Sequence, residues 1–371
     1  MTVELLPELT DEQSMLVDVS IRFMDAEVPM SATRARADGA TLDDVAYRRA
    51  AADLGWFGLL ARAEHGGGAI SGNGLVDAAL IASERGARLQ PGPFVGHSVV
   101  VHTLSNAGVA SSVLTALISG DTWATWADVD PGTCTLSVAS EGLRLDGAAD
   151  IVAEGDGCRW LLVTADGPDG VSQVLVDTAA QGTSIRRLEA LDVSRHWVAI
   201  DFDGVAIDTN AIIGSPGVET ETVVRGQRQI AAVLNAAEAV GAMHADLGLA
   251  VQYAKDRIAF GRPIGSFQAI KHLLADDSLW LEMAKGIVAA AATALGDRQE
   301  DGPQLAHAAK AFVAERGVEV AHDCFQVFGG IGYTWEHDQH FFLRRITADA
   351  ADFGSAAQHR SALLDAAGVK R

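Results

Sequence analysis

Hydrophobic and polar positions along the chain follow a helical period, then a two-residue alternation, then a helical period again. Residues 1 to about 120 read as helical. Thr10-Asp11-Glu12-Gln13 is a capping box, with Thr10 as the cap and Gln13 reaching back. Thr41-Leu42-Asp43-Asp44 opens another helix, and Gly55 sits where it should stop. Glu64-His65-Gly66-Gly67-Gly68 is a break. A further helix is predicted through Ala78 to Arg85, ended by Gly86, and Pro91-Gly92-Pro93 marks a rigid loop.

The pattern changes near Trp123. Thr133 to Val138 is β-prone. From His196 to Ile207, Val198, Ile200 and Phe202 face one way and Ala199, Asp201 and Asp203 the other, as in a half-buried strand. Turns are predicted at Asp130-Pro131-Gly132, Asp146-Gly147, Asp156-Gly157 and Asp169-Gly170. Short strands at this spacing imply a small sandwich or barrel.

From about Glu219 the helical period returns. Arg225 to Lys255 reads as one long helix. Ser266 is placed to cap the next, which continues to about Leu295 through Ala289-Ala290-Ala291-Ala292. Gly302-Pro303 starts a third and a last runs from about Asp338. Four long helices with short connections imply an antiparallel bundle. The expected fold is mainly α with a β domain. It comprises an N-terminal helical domain (1–120), a middle β-barrel or sandwich (121–218) and a C-terminal four-helix bundle (219–371).

Composition narrows the partners. The net charge of −21 repels nucleic acid. No apolar run reads as long enough to cross a bilayer, and Met1-Thr2-Val3-Glu4 lacks the basic start of a signal peptide, so a cytoplasmic location is expected. Cys134, Cys158 and Cys324 show no metal-ligand spacing and read as reduced thiols. No metal is expected.

On a chain this acidic, an anionic ligand needs locally placed cations. Arg257-Ile258-Ala259-Phe260-Gly261-Arg262-Pro263-Ile264-Gly265-Ser266-Phe267-Gln268 joins two long helices. Its arginines suit a phosphate bidentately, and Gly261 and Gly265 let backbone approach a ligand. An ordinary helix–helix turn with surface arginines has the same composition. Gln326-Val327-Phe328-Gly329-Gly330-Ile331-Gly332-Tyr333-Thr334 is either a phosphate cradle of backbone N–H groups or a plain helix end with a loop.

Together the two segments resemble the acyl-CoA dehydrogenase family. Tyr253 to Gln268, followed by Lys271 to Asp276, is similar to that family's central signature. Gln326 to Tyr333, with Glu336 and Leu343-Arg344-Arg345, is similar to its C-terminal one. Leu54 to Gly58, Glu64 to Gly67, Ser83 to Gly86 and Ala199 to Val205 extend the resemblance along the chain. The resemblance implies that Arg257, Phe260, Gln268, Gln326 and Gly330 contact the adenosine and pyrophosphate part of an FAD whose ring lies in a neighbouring subunit. It also implies an acyl-CoA thioester substrate and an electron-transfer flavoprotein as acceptor.

The sequence departs from the family at its reaction centre. The family's base is a glutamate at one of two positions, which here hold Phe353 and Ala231. Asp352 is adjacent to the first, but neighbours on a helix point about 100° apart. Glu238 lies two turns beyond the second and reads either as a capped or solvated helical residue or as a relocated base. The family's Thr-Glu-Pro-Gly-rich loop corresponds to Asp128 to Thr135, and its ring-binding strand to Gly147 to Ala153, without the aromatic and hydroxyl of the family. The pattern, with the tail Gly354 to Arg360, resembles the non-catalytic-type subunit of actinobacterial α2β2 dehydrogenases that act on CoA thioesters of steroid side chains. The expectation is therefore a subunit without its own catalytic glutamate that shares FAD with a second acyl-CoA dehydrogenase-like chain. A complete homomeric dehydrogenase using Glu238 or Asp352, and a flavin-free acyl-CoA-binding scaffold, are the alternatives.

Overall fold

A computed structural model describes residues 2–40, 44–108, 112–130, 132–139 and 142–366. Met1, Thr41 to Asp43 and Pro131, used above for the chain start, a helix start and a turn, lie outside the described residues. The N-terminal part holds α1 (Asp11–Glu27), α2 (Met30–Ala37), α3 (Asp44–Asp53), α4 (Gly74–Ala87), α5 (Phe94–Asn106) and α6 (Ser112–Ile118). The capping box forms as read: Gln13 N–H donates to Thr10 Oγ1 at 3.1 Å, and Thr10 N–H donates back to Gln13 Oε1 at 3.2 Å. Gly55 follows α3 with φ +83, a conformation that frees the chain to turn away.

Gly86 does not end its helix as expected. It lies inside α4 at a crossing with a bundle helix, where an added Cβ would lie 1.8 Å from the carbonyl oxygen of Glu238. Gly241 mirrors it: a Cβ there would lie 1.8 Å from the carbonyl oxygen of Ser83. The pair lets two helix backbones touch, so both positions require the absent side chain.

The middle part contains β1 (Ala124–Ala127), β2 (Cys134–Val138), β3 (Leu143–Ala153), β4 (Trp160–Gly167), β5 (Gly170–Asp177), β6 (Thr183–Leu188), β7 (Trp197–Ile207) and β8 (Ile212–Ile213). They form one sheet in the order β6-β7-β3-β2-β4-β5-β8, with β1 parallel to β4. The two halves enclose a common core that includes Leu145, Val163, Val174, Ile200 and Phe202. The alternation in β7 holds at Asp201 and Asp203, which are exposed, whereas Ala199 is buried as well. Asp146-Gly147 lies inside β3 and is not a turn; Asp146 faces a bulge in β7, where Asp203 and Gly204 together stand opposite it. The register against β7 shifts between Leu145 and Gly147, and the N–H of Gly204 donates to Asp146 Oδ1 at 2.8 Å. Asp156-Gly157 closes a short 3-10 turn, and Asp169-Gly170 makes the β4–β5 turn.

Long helices follow: α7 (Val218–Asp256), α8 (Gln268–Gly296), α9 (Gly302–Phe328), α10 (Gln339–Ala351) and α11 (Ala356–Ala366). Between α7 and α8, β9 (Ile258–Ala259) and β10 (Arg262–Pro263) make a small hairpin. Pro303 sits in the first turn of α9, as expected. Ser266 does not cap α8: its hydroxyl donates to the Pro263 carbonyl at 2.7 Å, and Phe267 occupies the cap position. The last helix is two, because backbone at Phe353 (φ +53) and Gly354 (φ +100) breaks it.

By length and a mean hydropathy of 1.3, α8 meets the criterion for crossing a membrane, which corrects the expectation of no such run. Leu274, Leu281, Ala284, Val288 and Ala291 are buried on its inner side, and Leu279 and Met283 are exposed on its outer side. It is a bundle helix with one covered and one open apolar face. The three cysteines are free and buried.

Candidate active site and cofactor edge

A cavity of about 620 Å³ lies where the sheet meets the helices. Thr125 and Trp126 of β1, and Ile151 to Ala153 of β3, form one wall; Glu238, Asp352 and Phe353 contribute to the other. Between Gly147 and Ala153, β3 carries no aromatic or hydroxyl side chain, as read, but β1 supplies one of each beside it. Neither is free. Thr125 Oγ1 donates to the Ala153 carbonyl at 3.3 Å, and the Trp126 ring is stacked on Phe353, with centroids 6.2 Å apart and planes 10° from parallel. Arg228 of α7 closes a bidentate pair on Asp128, Nη2 to Oδ1 at 2.8 Å and Nε to Oδ2 at 3.1 Å, at the margin of this cavity and a second of about 360 Å³.

Phe353, expected at the family's first base position, is a packing residue against Trp126. Ala231, at the second, is fully buried in α7. Asp352 needs a correction: it lies beyond the last turn of α10 in extended backbone (φ −70, ψ 142), so the angular argument from helix geometry does not apply. Its side chain lines the cavity, and its buried Oδ2 has no hydrogen-bond partner among the described residues. Burial raises its pKa, against the attraction of Arg195 and Lys310.

Glu238 is neither capped nor solvated. It is 4% exposed, accepts from Arg345 Nη1 at 3.1 Å, and lies 3.8 Å from Arg195 Nη1. These belong to a buried network that ties the sheet to the bundle. Arg345 of α10 also donates to Asp192 Oδ2 at 2.8 Å and to Ser194 Oγ at 2.7 Å, just ahead of β7. Arg195 pairs with Asp192 and Asp349. Lys310 of α9 donates to Asn235 Oδ1 at 2.6 Å and to the Asp349 carbonyl. Burial pushes Asp349 up to about 7 and lowers Lys310 to about 8, while Arg345 and Arg195 hold Asp192 well below the usual carboxylate range despite its burial. Sequence reasoning missed this network. Its one local signal was Lys310 inside the otherwise apolar run Ala308 to Val313.

Among the described residues, Glu154, Asp156 and His196 bring donor atoms within 4.8 Å of one another. The Arg187 guanidinium already donates to Asp156 and His196 there, so a cation fills the role a metal would have.

The other sequence-predicted residues gather at one end of the bundle. Tyr253, in the last turn of α7, packs on Phe328 at the end of α9 with centroids 4.7 Å apart, so the two glycine-bearing segments adjoin. Arg257, Gln268, Gln326 and Gly330 are all exposed there, and Phe260 stands 94% exposed with φ +52. Arg257 makes no ion pair among the described residues. A Cβ built on Gly330 meets nothing within 4 Å. Unpaired guanidinium and open backbone fit a phosphate-bearing group. Ile258, Ile331, Tyr333 and Trp335 leave exposed apolar surface around them.

Comparison with known proteins assigns the class. The acyl-CoA dehydrogenase N-terminal domain matches residues 10–121 and the C-terminal domain residues 222–367. The chain belongs to the acyl-CoA dehydrogenase family, a family of oxidoreductases acting on CH–CH groups for which FAD is the implied cofactor. Acyl-CoA dehydrogenase IpdE2 of Mycobacterium tuberculosis (strain ATCC 25618 / H37Rv) is 30% identical over 347 residues, covering 92% of each chain. Acyl-CoA dehydrogenase FadE34 of the same strain is 35% identical over 331 residues, 86% of this chain; the match spans only 42% of FadE34. Among solved structures, a variant of the Tcur3481-Tcur3483 steroid ACAD superposes with a TM-score of 0.85 at 26% identity, covering 96% of this chain and 98% of that one. The ChsE4-ChsE5 complex from Mycobacterium tuberculosis shares the fold, with a TM-score of 0.88 at 21% identity and coverage of 98% and 99%.

Proposed function

We propose that this chain is the non-catalytic-type subunit of a heteromeric, α2β2 acyl-CoA dehydrogenase. Arg257, Phe260, Gln268, Gln326 and Gly330 would complete the FAD site of a second acyl-CoA dehydrogenase-like chain. Bound FAD would accept the hydride that leaves the β carbon of an acyl-CoA thioester. This chain's part is to bind: Arg257 donates charge-assisted hydrogen bonds to the pyrophosphate, and Gly330 admits it to backbone N–H groups. The observation that carries the reading is a contrast. The base position of the chain's own cavity is filled by Phe353 against Trp126, while the bundle end keeps an unpaired Arg257 beside exposed apolar residues. A structural relative described as a steroid ACAD supports a steroid side-chain CoA ester as substrate. An electron-transfer flavoprotein as acceptor and a cytoplasmic location belong to the same reading.

The test is expression of the chain alone and with an acyl-CoA dehydrogenase-like neighbour that carries the missing glutamate. Alone it should hold little FAD and no dehydrogenase activity. The pair should be yellow and active, and Arg257→Ala should lower its FAD content. Full flavin content and turnover by the lone chain would sink the proposal.

One observation favours a second reading, a self-sufficient enzyme with Asp352 as base. The carboxyl is buried, lines the cavity and has a bare oxygen, as a proton acceptor in a dry site requires. Activity of the lone chain abolished by Asp352→Asn would establish it.

A further inference from the structure

The loop between α9 and α10 carries Gly330, and its two halves are held by different means. The near half is seated on α9. The Tyr333 ring packs on Phe325 with centroids 4.6 Å apart, and a Cβ on Gly332 would lie 3.3 Å from Phe325 and Phe328. Thr334 then leaves in extended backbone, with its N–H and its hydroxyl donating to the Ile331 carbonyl at 3.1 and 2.9 Å. Beyond it the carbonyls of Trp335 and Glu336 receive no backbone N–H among the described residues. A buried or half-buried carbonyl needs a donor. Here the donor comes from the N-terminal part of the chain.

Arg34 of α2 supplies it. Its Nη1 donates to the Trp335 carbonyl, and its Nη2 donates to Asp338 Oδ1 and, at 3.4 Å, to the Glu336 carbonyl. The guanidinium lies over the Phe341 ring, 5.3 Å from its centroid. Asp38 stands four residues further along, where the two could pair on the helix surface. They make no ion pair with each other. Asp38 Oδ1 instead accepts from the Trp335 indole N–H at 3.2 Å, and that ring is stacked on His340 with centroids 4.7 Å apart. Both members of a possible local pair thus reach the same loop, across about 300 residues of sequence. A flat fork of donors is suited to bridging two successive carbonyls and a carboxylate, which a single ammonium cannot do.

We infer that Arg34 is a positioning residue for the cofactor edge, a role that rests on the reading of Gly330 as part of an FAD site. With Asp38 it straps the far end of the loop to α2 and so holds the backbone around Gly330 ready for a pyrophosphate. A loop already ordered does not subtract its ordering cost from the affinity. The N-terminal helices thereby take part in holding the cofactor.

Amide hydrogen exchange of the chain alone reads the strap without any flavin: Arg34→Met should speed exchange over residues 331–338 roughly fivefold or more. FAD titration into the flavin-free complex with the acyl-CoA dehydrogenase-like neighbour, followed by flavin fluorescence, reads the consequence. Arg34→Met should raise the Kd for FAD about tenfold, as the loss of charge-assisted hydrogen bonds implies. Arg34→Lys should recover part of that loss. Methionine and lysine have similar stems, so recovery separates the charged donor from mere packing. Asp38→Ala, at an exposed position, should raise the Kd about threefold, and it decides if Arg34→Met fails to assemble. Arg257→Ala is the reference: if it leaves FAD binding unchanged, the cofactor edge is refuted and the strap has nothing to position. If Arg257→Ala weakens binding but Arg34→Met does not, the strap alone is overturned. It is also overturned if loop exchange matches the parent's, or if lysine does no better than methionine.

Discussion

The crossing of α4 and α7 makes a prediction in which two effects have opposite signs. Gly86→Ala places a carbon 1.8 Å from the Glu238 carbonyl oxygen and 2.7 Å from its carbonyl carbon. Ordinary contact begins at 3.4 Å, so the approach is short by about 1.6 Å, the difference between those two distances. Both sides of the clash are helix backbone, and no rotamer relieves it. The helices must separate along a face on which α4 is buried almost throughout. Overpacking of this kind costs typically 1–3 kcal/mol, and backbone against backbone belongs at about 3. Alanine offsets about 1 kcal/mol by its helix propensity. The net loss is therefore about 2 kcal/mol. Gly286, exposed in α8, is the internal control: a Cβ there meets nothing within 4 Å, so Gly286→Ala should gain about 0.5–1 kcal/mol. Urea unfolding followed by tryptophan fluorescence measures both. If Gly86→Ala is as stable as the parent, or is stabilised like Gly286→Ala, propensity dominates and the close crossing is not present.

Arg345→Met removes a fully buried cation and leaves Asp192 and Glu238 facing each other; a loss of about 3–5 kcal/mol is expected in chemical denaturation, and a change under 1 kcal/mol would refute the network. Burial, with Asp323 and Asp276 nearby, raises Asp277 to about 7, so the folded chain holds a proton there that the unfolded chain releases near pH 4. Its contribution to stability is therefore present below about 4 and lost as pH rises towards 7, and Asp277→Asn should flatten that decline. A variant whose stability falls over that window as steeply as the parent's would show the site is not responsible.

The helices and the family resemblance at the bundle end were legible because their signals are local. The capping box at Thr10, the stop at Gly55 and the segments at Arg257 to Gln268 and Gln326 to Tyr333 each lie within a dozen residues. Errors arose where a residue type with a local habit met a distant partner. Gly86 reads as a helix end, yet its place is set by Glu238 on another helix. Asp146-Gly147 reads as a turn, but β7 continues the pairing and a bulge absorbs the extra residue. Ser266 donates its hydroxyl to the Pro263 carbonyl instead of accepting from the helix N–H groups it was expected to cap. Glu238 appears solvated in sequence because Arg345, 107 residues away, is invisible from its own helix. His307 of α9 and His359 of α11 bring their Nδ1 atoms to 2.9 Å although 52 residues apart, and His359 Nε2 reaches the Phe353 carbonyl through a backbone conformation that nothing in a helical pattern announces.

A phenylalanine held in water at the tip of a hairpin has consequences for the cell as well as for the fold. If the proposed heteromer covers Phe260, a copy without its partner exposes it together with Ile258, Ile331, Tyr333 and Trp335, and apolar surface of that kind is what chaperones and proteases act on. The quantity of this chain that survives would then be set by the supply of whatever caps that tip. Surplus copies would be cleared without any dedicated regulator, and synthesis in step with the capping chain would suffice to keep the two in proportion.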